Sequence, residues 1–189
     1  MLKSGARFVA FASGPLGKEK LAATGTTLVI GVVAKKESIE GVLSFPVAVN
    51  GTDATMSIIK AIKQSRFGSQ IRVVVLNGIA LAGLNVVNIG ELARNGLEAM
   101  VVTRHKPRPS KLVYALKMFS KKSKEHVEER IEIVKEFAKK KPERISGFYI
   151  QSTMEKSDYM QICNHVISAL RLAHLIASGI SKGESKGRL

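Results

Sequence analysis

Apolar positions arrive along the chain in two alternating rhythms: short unbroken runs, then helical spacing. The first run climbs through Phe8, Val9, Ala10 and Phe11 of RFVAFASGPLG and breaks at Ser13-Gly14-Pro15. A polar loop from Gly17 to Gly25, with Lys18 and Lys20, leads to TTLVIGVVAKK, Thr26 to Lys36. β-Branched residues crowd that stretch and predict a buried strand. IEGVLSFPVAV, Ile39 to Val49, predicts a third strand. Pro46 has no N–H to give a neighbour, so this strand belongs at an edge or carries a bulge. Three such runs joined by short connections predict an antiparallel meander.

The rhythm then changes. NGTDAT, Asn50 to Thr55, is a turn that feeds a helix, and Thr52 or Asp53 can cap it. Met56, Ile58, Ile59 and Ile62 keep a helical spacing up to Arg66. IRVVVLN, Ile71 to Asn77, is apolar without a break, as a strand covered on both faces is. GIALAGLNVVNIGELARNG follows, with glycines at 78, 83 and 90, and predicts a helix ending near Gly96. Glu98 to Arg104 predicts another buried strand, and the strand–helix–strand order implies parallel pairing. HKPRPS breaks the chain. Helices are predicted over Ser110 to Phe119 and Lys124 to Lys140, a strand or extended segment over Ile145 to Gln151, and a last helix from about Asp158 to Ser178. Val166, Ile167, Leu170, Ala173, Leu175 and Ile176 give that helix a wide apolar face.

The resulting order is βββαβαβααβα. A three-strand antiparallel meander followed by alternating parallel strands and helices is the order of a ribonuclease H-like α/β fold, a mixed sheet flanked by helices. One domain over residues 1–180 suits a chain of 189 residues, with a basic C-terminal tail at 181–189.

Charge adds a partner to this picture. Thirty Lys and Arg stand against 15 Asp and Glu, a formal net charge of +15. So basic a domain suggests a polyanion. Aromatic residues make up 5% of the chain, with no Trp, which supports contact with phosphates ahead of a large base-stacking platform. Cys163 is the single cysteine, so neither a disulfide nor a multi-thiolate zinc site can form within one chain. It falls in an apolar helical pattern, which suits a buried inert thiol. No secretory signal is recognisable, and no apolar stretch approaches the ~18 residues of a membrane helix. The reading is a cytoplasmic protein without membrane contact.

Arg104, His105, Lys106, Arg108 and Lys111 cluster at and after the end of a predicted parallel strand. Ligands of open α/β sheets bind beyond the carboxyl ends of the strands, so phosphate contact is expected there. The bland alternative, a loop kept soluble by charge, weighs about equally. In the helix after residue 124, Glu125, Glu128, Glu129, Glu132 and Glu136 interleave with Lys135, Lys139, Lys140, Lys141 and Arg144. That alternation reads as a solvated face. The glycine-rich segment lacks the Gly-Lys-Ser/Thr ending of a phosphate loop and the dinucleotide-binding spacing. Metal-dependent nucleases need two or more converging carboxylates. Few are on offer at strand ends: Asp53 follows the third strand, while Asn50 and Asn77 are amides where acids would serve. The four histidines, at 105, 126, 165 and 174, are dispersed.

NGTDAT, RVVVLNGIALAGLNVVNI and LRLAHLIASGISKGESKGRL together resemble the archaeal endonuclease dU family, over nearly the whole chain. That family is similar to endonuclease V, which cuts near deaminated bases and has a ribonuclease H-like fold. The resemblance implies a metal site of strand-end carboxylates, and the sequence departs from it. Ala12 and Ser13 stand where relatives commonly carry two acids before Gly-Pro. Asn50 stands where an acid commonly precedes Gly-Thr-Asp-Ala-Thr. Asn77 stands at the counterpart of an endonuclease V metal ligand. Asp53 is the counterpart of a second ligand, His174 matches an active-site histidine, and Arg104 or His105 lies near the position of an active-site lysine.

Three readings follow. The first is a nucleic-acid-binding protein of this group with weak or no nuclease activity and no cofactor, any metal being held weakly at Asp53. Its phosphate contacts would come from Arg104, His105, Lys106, Arg108 and Lys111, helped by Arg171 and the Lys182–Arg188 tail, with DNA favoured over RNA. The second is an active Mg²⁺- or Mn²⁺-dependent endonuclease at deoxyuridine or inosine, its site rebuilt from Asp53, His174 and Glu91 or Asp158. The third is a non-catalytic partner subunit, paired with its own kind or with a paralogue, for which an exposed apolar patch is the mark.

Overall fold

The computed structural model describes residues 6–16 and 25–185. Lys18, Lys20 and the end of the basic tail, 186–189, lie outside the described residues. β1 (Arg7–Ser13), β2 (Thr26–Lys35) and β3 (Ser38–Ala48) form the expected antiparallel meander. β4 (Ile71–Leu76) pairs parallel with β1, and β7 (Glu98–Thr103) pairs parallel with β4. The seven-stranded sheet has the order β3-β2-β1-β4-β7-β9-β8, a ribonuclease H-like mixed sheet flanked by helices. β3 is an edge strand, as Pro46 demands, and the irregularity in its pairing with β2 lies at Val33/Ala34 and not at the proline.

The unbroken apolar runs are explained by cover on both faces. Alternate side chains of each strand enter opposite layers. Val9, Phe11, Val74, Leu76, Ala99 and Val101 share one core with α1 (Ala54–Gln64), α2 (Ile89–Arg94), α3 (Pro109–Ser123) and α4 (Glu128–Ala138). Phe8, Ala10, Ala12, Val73, Val75, Met100 and Val102 share the other with α5 (Lys156–Met160) and α6 (Cys163–Lys182). Cys163 is buried among them, and burial pushes its thiol pKa up, which suits an inert side chain.

Several elements differ from the sequence pattern. The glycine-rich segment holds a small hairpin, β5 (Ala80–Leu81) and β6 (Asn85–Val86), before α2. The segment expected as one strand is a hairpin, β8 (Glu143–Ile145) and β9 (Phe148–Ser152), and β9 joins β7 antiparallel. Ser146 and Gly147 turn it, both at positive φ, the left-handed pair that two-residue hairpins favour. α3 runs to Ser123 and stops because Lys124 adopts a left-handed conformation, its N–H bonding the Ser120 carbonyl. The last predicted helix is two. Gln161 and Ile162 donate to Asp158 and Tyr159, a tighter three-residue spacing that separates α5 from α6.

Gly31 shows how closely the sheet is packed. A Cβ there would meet the Phe11 ring at 2.3 Å, and that ring in turn packs edge-on to Phe45, centroids 5.5 Å apart. Gly31→Ala is therefore expected to destabilise by about 1–3 kcal/mol through overpacking. Urea denaturation checks this, and adding Phe11→Leu should recover part of the loss because the two side chains touch.

Candidate functional site

β1, β4 and β7 run parallel, so Ser13, Asn77 and the Arg104 loop share one edge of the sheet. β3 has the same direction, which brings Asn50 and Asp53 to that edge too. A cleft of about 350 Å³ opens there. Its lining includes Ala12 and Ser13 at the end of β1, Pro15 and Leu16 after it, Asn77 after β4, Ala80, Leu81 and Gly83 of the hairpin, and His174 of α6. Three side chains on this lining carry polar chemistry: a hydroxyl, an amide and an imidazole. The structure thus brings Ser13, Asn77 and His174 together. Ala12 is 5% exposed and its methyl belongs to the core beneath α6.

The other predicted residues are engaged elsewhere. Asp53 does not cap α1 with its side chain, and neither does Thr52. The Asp53 carboxylate accepts from the Ala48 N–H at 3.1 Å and from Asn85 Nδ2 at 2.6 Å. Asn85, fully buried on β6, does the capping: its Oδ1 accepts from the Ala54 N–H at 3.0 Å. A residue 31 positions away thus satisfies the helix start. Glu91 accepts from Arg94 and Asn95 on its own helix, and the Arg94 hydrogen bond holds its carboxyl below the usual range. It lies on a separate hollow beside Thr55, Asn88 and Glu129. Asp158 is buried on α5, on the opposite layer of the sheet from Asp53 and α1. So the cleft lining contains no carboxylate among the described residues. Among the described residues no group of three or more His, Cys, Asp and Glu is placed to hold a metal ion. Mg²⁺ and Mn²⁺ take oxygen ligands, carboxylates foremost. The donors on this cleft do not fit such an ion.

Asn50 has a different task. It is 2% exposed and sits at φ 58°, a left-handed conformation that asparagine tolerates. Its N–H donates to the Ala82 carbonyl at 2.9 Å and its Oδ1 accepts from the Leu84 N–H at 3.0 Å. Its own carbonyl accepts from Arg130 at 2.6 Å. Arg130, 3% exposed on α4, also reaches the Gly51 and Leu84 carbonyls, both at 3.4 Å. On the far side, the Ala82 N–H donates to Ser13 Oγ at 3.1 Å. A continuous polar chain therefore runs from α4 through Asn50 and the hairpin to the floor of the cleft. Neither Arg130 nor Asn85 stands out in the sequence. Arg130 sits inside the alternating charges of α4, and its burial depends on partners 46 to 80 residues away.

Arg104, His105, Lys106, Arg108 and Lys111 are all exposed and gather between β7 and the first turn of α3. None of them lines the cleft. Arg171 is also exposed, but on α6, which covers the opposite face of the sheet from α3. His174, on the same helix, lies 3.4 Å from Ser178 Oγ through Nε2. No helix among the described residues is long and apolar enough to cross a membrane.

A model of the family described as Endonuclease dU matches residues 4–181. A UPF0215 protein of Methanosarcina mazei is 38% identical over 175 residues, covering 85% of this chain and 86% of its own. One from Thermococcus sibiricus is 34% identical over 195 residues, covering 98% and 97%. The crystal structure of a protein of unknown function from Archaeoglobus fulgidus superposes with a TM-score of 0.76 at 26% identity, covering 93% of this chain and 98% of that one.

Gly83 tests the polar chain. It has φ +89°, and a Cβ there would meet Asn50 Oδ1 at 2.2 Å. Gly96 has φ +75° with nothing within 4 Å. Gly96→Ala should cost about 1 kcal/mol through backbone strain alone. Gly83→Ala should cost about 1–3 kcal/mol more, since it also breaks buried hydrogen bonds. Equal losses in chemical denaturation would show that the Asn50 clamp contributes nothing.

Proposed function

The chain belongs to the endonuclease dU family, and from that premise we propose that it binds nucleic acid at the carboxyl edge of its sheet without performing metal-dependent strand cleavage. The observation that carries this reading is the cleft at the ends of β1 and β4, lined by Ala12, Ser13, Asn77 and His174 with no carboxylate among the described residues. Two-metal cleavage of a phosphodiester depends on anionic ligands that hold the ions. The nearest candidate, Asp53, is exposed, and its carboxylate is spent on Ala48 and Asn85. The role of Asp53 in this reading is to fix the start of α1.

The excess charge supports the binding half. Arg104, His105, Lys106, Arg108 and Lys111 stand exposed on the rim, and the whole chain carries +15. Phosphate neutralisation of this kind is salt-dependent and nearly blind to sequence. DNA is inferred ahead of RNA, in keeping with the family's description as Endonuclease dU. A partner-subunit role finds less support. The exposed large apolar side chains are spread over Ile39 and Val42 of β3, Met56 of α1, Tyr114 of α3, Met160 of α5 and Ile180 of α6.

End-labelled duplexes carrying one deoxyuridine or inosine, incubated with Mg²⁺ or Mn²⁺, should remain uncut on a denaturing gel. Cleavage near the lesion that Asp53→Asn abolishes would mean a working site and would sink the proposal. The same duplexes should bind with an affinity that falls steeply with salt. Replacing Arg104, Lys106, Arg108 and Lys111 by Gln should flatten the log–log slope by about 0.9 for each phosphate that is no longer neutralised. A flat response in the unmodified protein counts against nucleic-acid binding itself.

A further inference from the structure

We infer that the outer face of α3 is a binding track for single-stranded nucleic acid, with Tyr114 stacking on a base and Lys111, Lys117 and Lys121 holding the phosphates around it. The inference rests on the nucleic-acid reading above and assigns it a surface and a substrate class.

The charge of α3 is unlike that of its neighbour. Its 15 residues contain four lysines, at 111, 117, 121 and 122, and no Asp or Glu. None of the four pairs with a carboxylate among the described residues. On and just after α4 the lysines are matched: Lys135 pairs with Glu132, and Lys139, which follows the helix, with Glu136. A solubilising face has no need to be of one sign, as α4 demonstrates. Favourable placement of cations in the last turn of a helix accounts for Lys121 and Lys122, but not for Lys111 and Lys117.

Tyr114 sits at the centre of this face and is 66% exposed. At about 100° per residue, Lys111 and Lys117 flank it by about 60° on either side, and Lys121 follows about two turns later nearly in line. Leu116 and Phe119 point the other way, into the core. A large aromatic ring held out in water on a firmly packed helix is available for stacking. Bases in a duplex stack on each other and hide their faces, so the ring selects unpaired ones. Lys111 to Lys121 spans about 15 Å, room for a short run of nucleotides. The track begins at the basic loop of residues 104–108, which follows β7, the sheet neighbour of β4.

The test is fluorescence anisotropy of a labelled 12-residue thymidine oligonucleotide, compared with a duplex of equal length. Tyr114→Ala should weaken single-strand binding about tenfold, with the salt slope unchanged and with Tyr114→Phe close to the original protein. Replacing Lys111, Lys117 and Lys121 by Gln should lower the slope by about 0.7 for each lysine. All four positions are exposed, and an unchanged melting temperature confirms that the variants fold. If Tyr114→Ala and the lysine variant bind the oligonucleotide as the original does, the track is refuted while the cleft and its rim remain. A loss for the lysine variant alone refutes the stacking role. Binding to phosphatidylserine vesicles that these substitutions abolish, with oligonucleotide binding intact, would assign the face to lipid and overturn the inference. Failure of the unmodified protein to bind either nucleic acid defeats the functional proposal itself.

Discussion

The end of β3 depends on Asn50, and much of the functional edge depends on Asn50 in turn. One residue in a left-handed conformation supplies an N–H and a side-chain oxygen to the hairpin of residues 80–86 and a carbonyl to Arg130 of α4. Each of these groups is buried, and a buried polar group left unbonded costs about 1–3 kcal/mol. The hairpin of residues 80–86 is too short to hold itself. It keeps its place because Asn50, Asn85 and Ser13 satisfy its backbone or tie its side chains to the sheet. Arg130 closes the arrangement from α4. A carboxylate at position 50 could accept from Leu84 equally well, but it would carry its charge into a site that is 2% exposed. An amide is the neutral alternative with the same acceptor oxygen.

Under the proposed function, the same edge uses one kind of electrostatics in place of another. Strand-end acids draw a cation into a cleft, and the cation then draws phosphate. With a hydroxyl, an amide and an imidazole on the lining, the proposed attraction for phosphate rests on fixed protein charge after β7 and on α3. α4 mixes charges of both signs and pairs Lys135 with Glu132, and α3 leaves its lysines without a carboxylate on the same helix. The two helices pack together, so the contrast lies in the charge each turns outward.

The sheet was legible in the sequence because its strands are covered on both faces and read as unbroken apolar runs. Pro46 correctly marked an edge, and the strand–helix alternation correctly marked the parallel centre. The hairpins were not legible. β5 and β6 have two residues each, below any periodic signal, and their pairing depends on Asn50 and Asn85. The division between α5 and α6 rests on a change of hydrogen-bond spacing that composition does not reveal. For the site, the ends of the predicted strands placed Ser13 and Asn77 at one edge and the family resemblance added His174, whereas Asp53 was read as a cap or a ligand. Its actual partner, Asn85, is 32 residues away and looks like any polar residue in an apolar stretch. The exposed ring of Tyr114 was hidden for another reason: its neighbours in sequence are apolar, and only the helix geometry turns it outward.

β3 closes one end of the sheet with eleven residues and few charges. A long open edge is a template on which a stranger's strand can add, copy after copy, until the material leaves solution. Pro46 interrupts the row of N–H donors that such growth requires. The ring that weakens this strand's fit as an ordinary sheet member thus also makes the edge a poorer template for a stranger's strand.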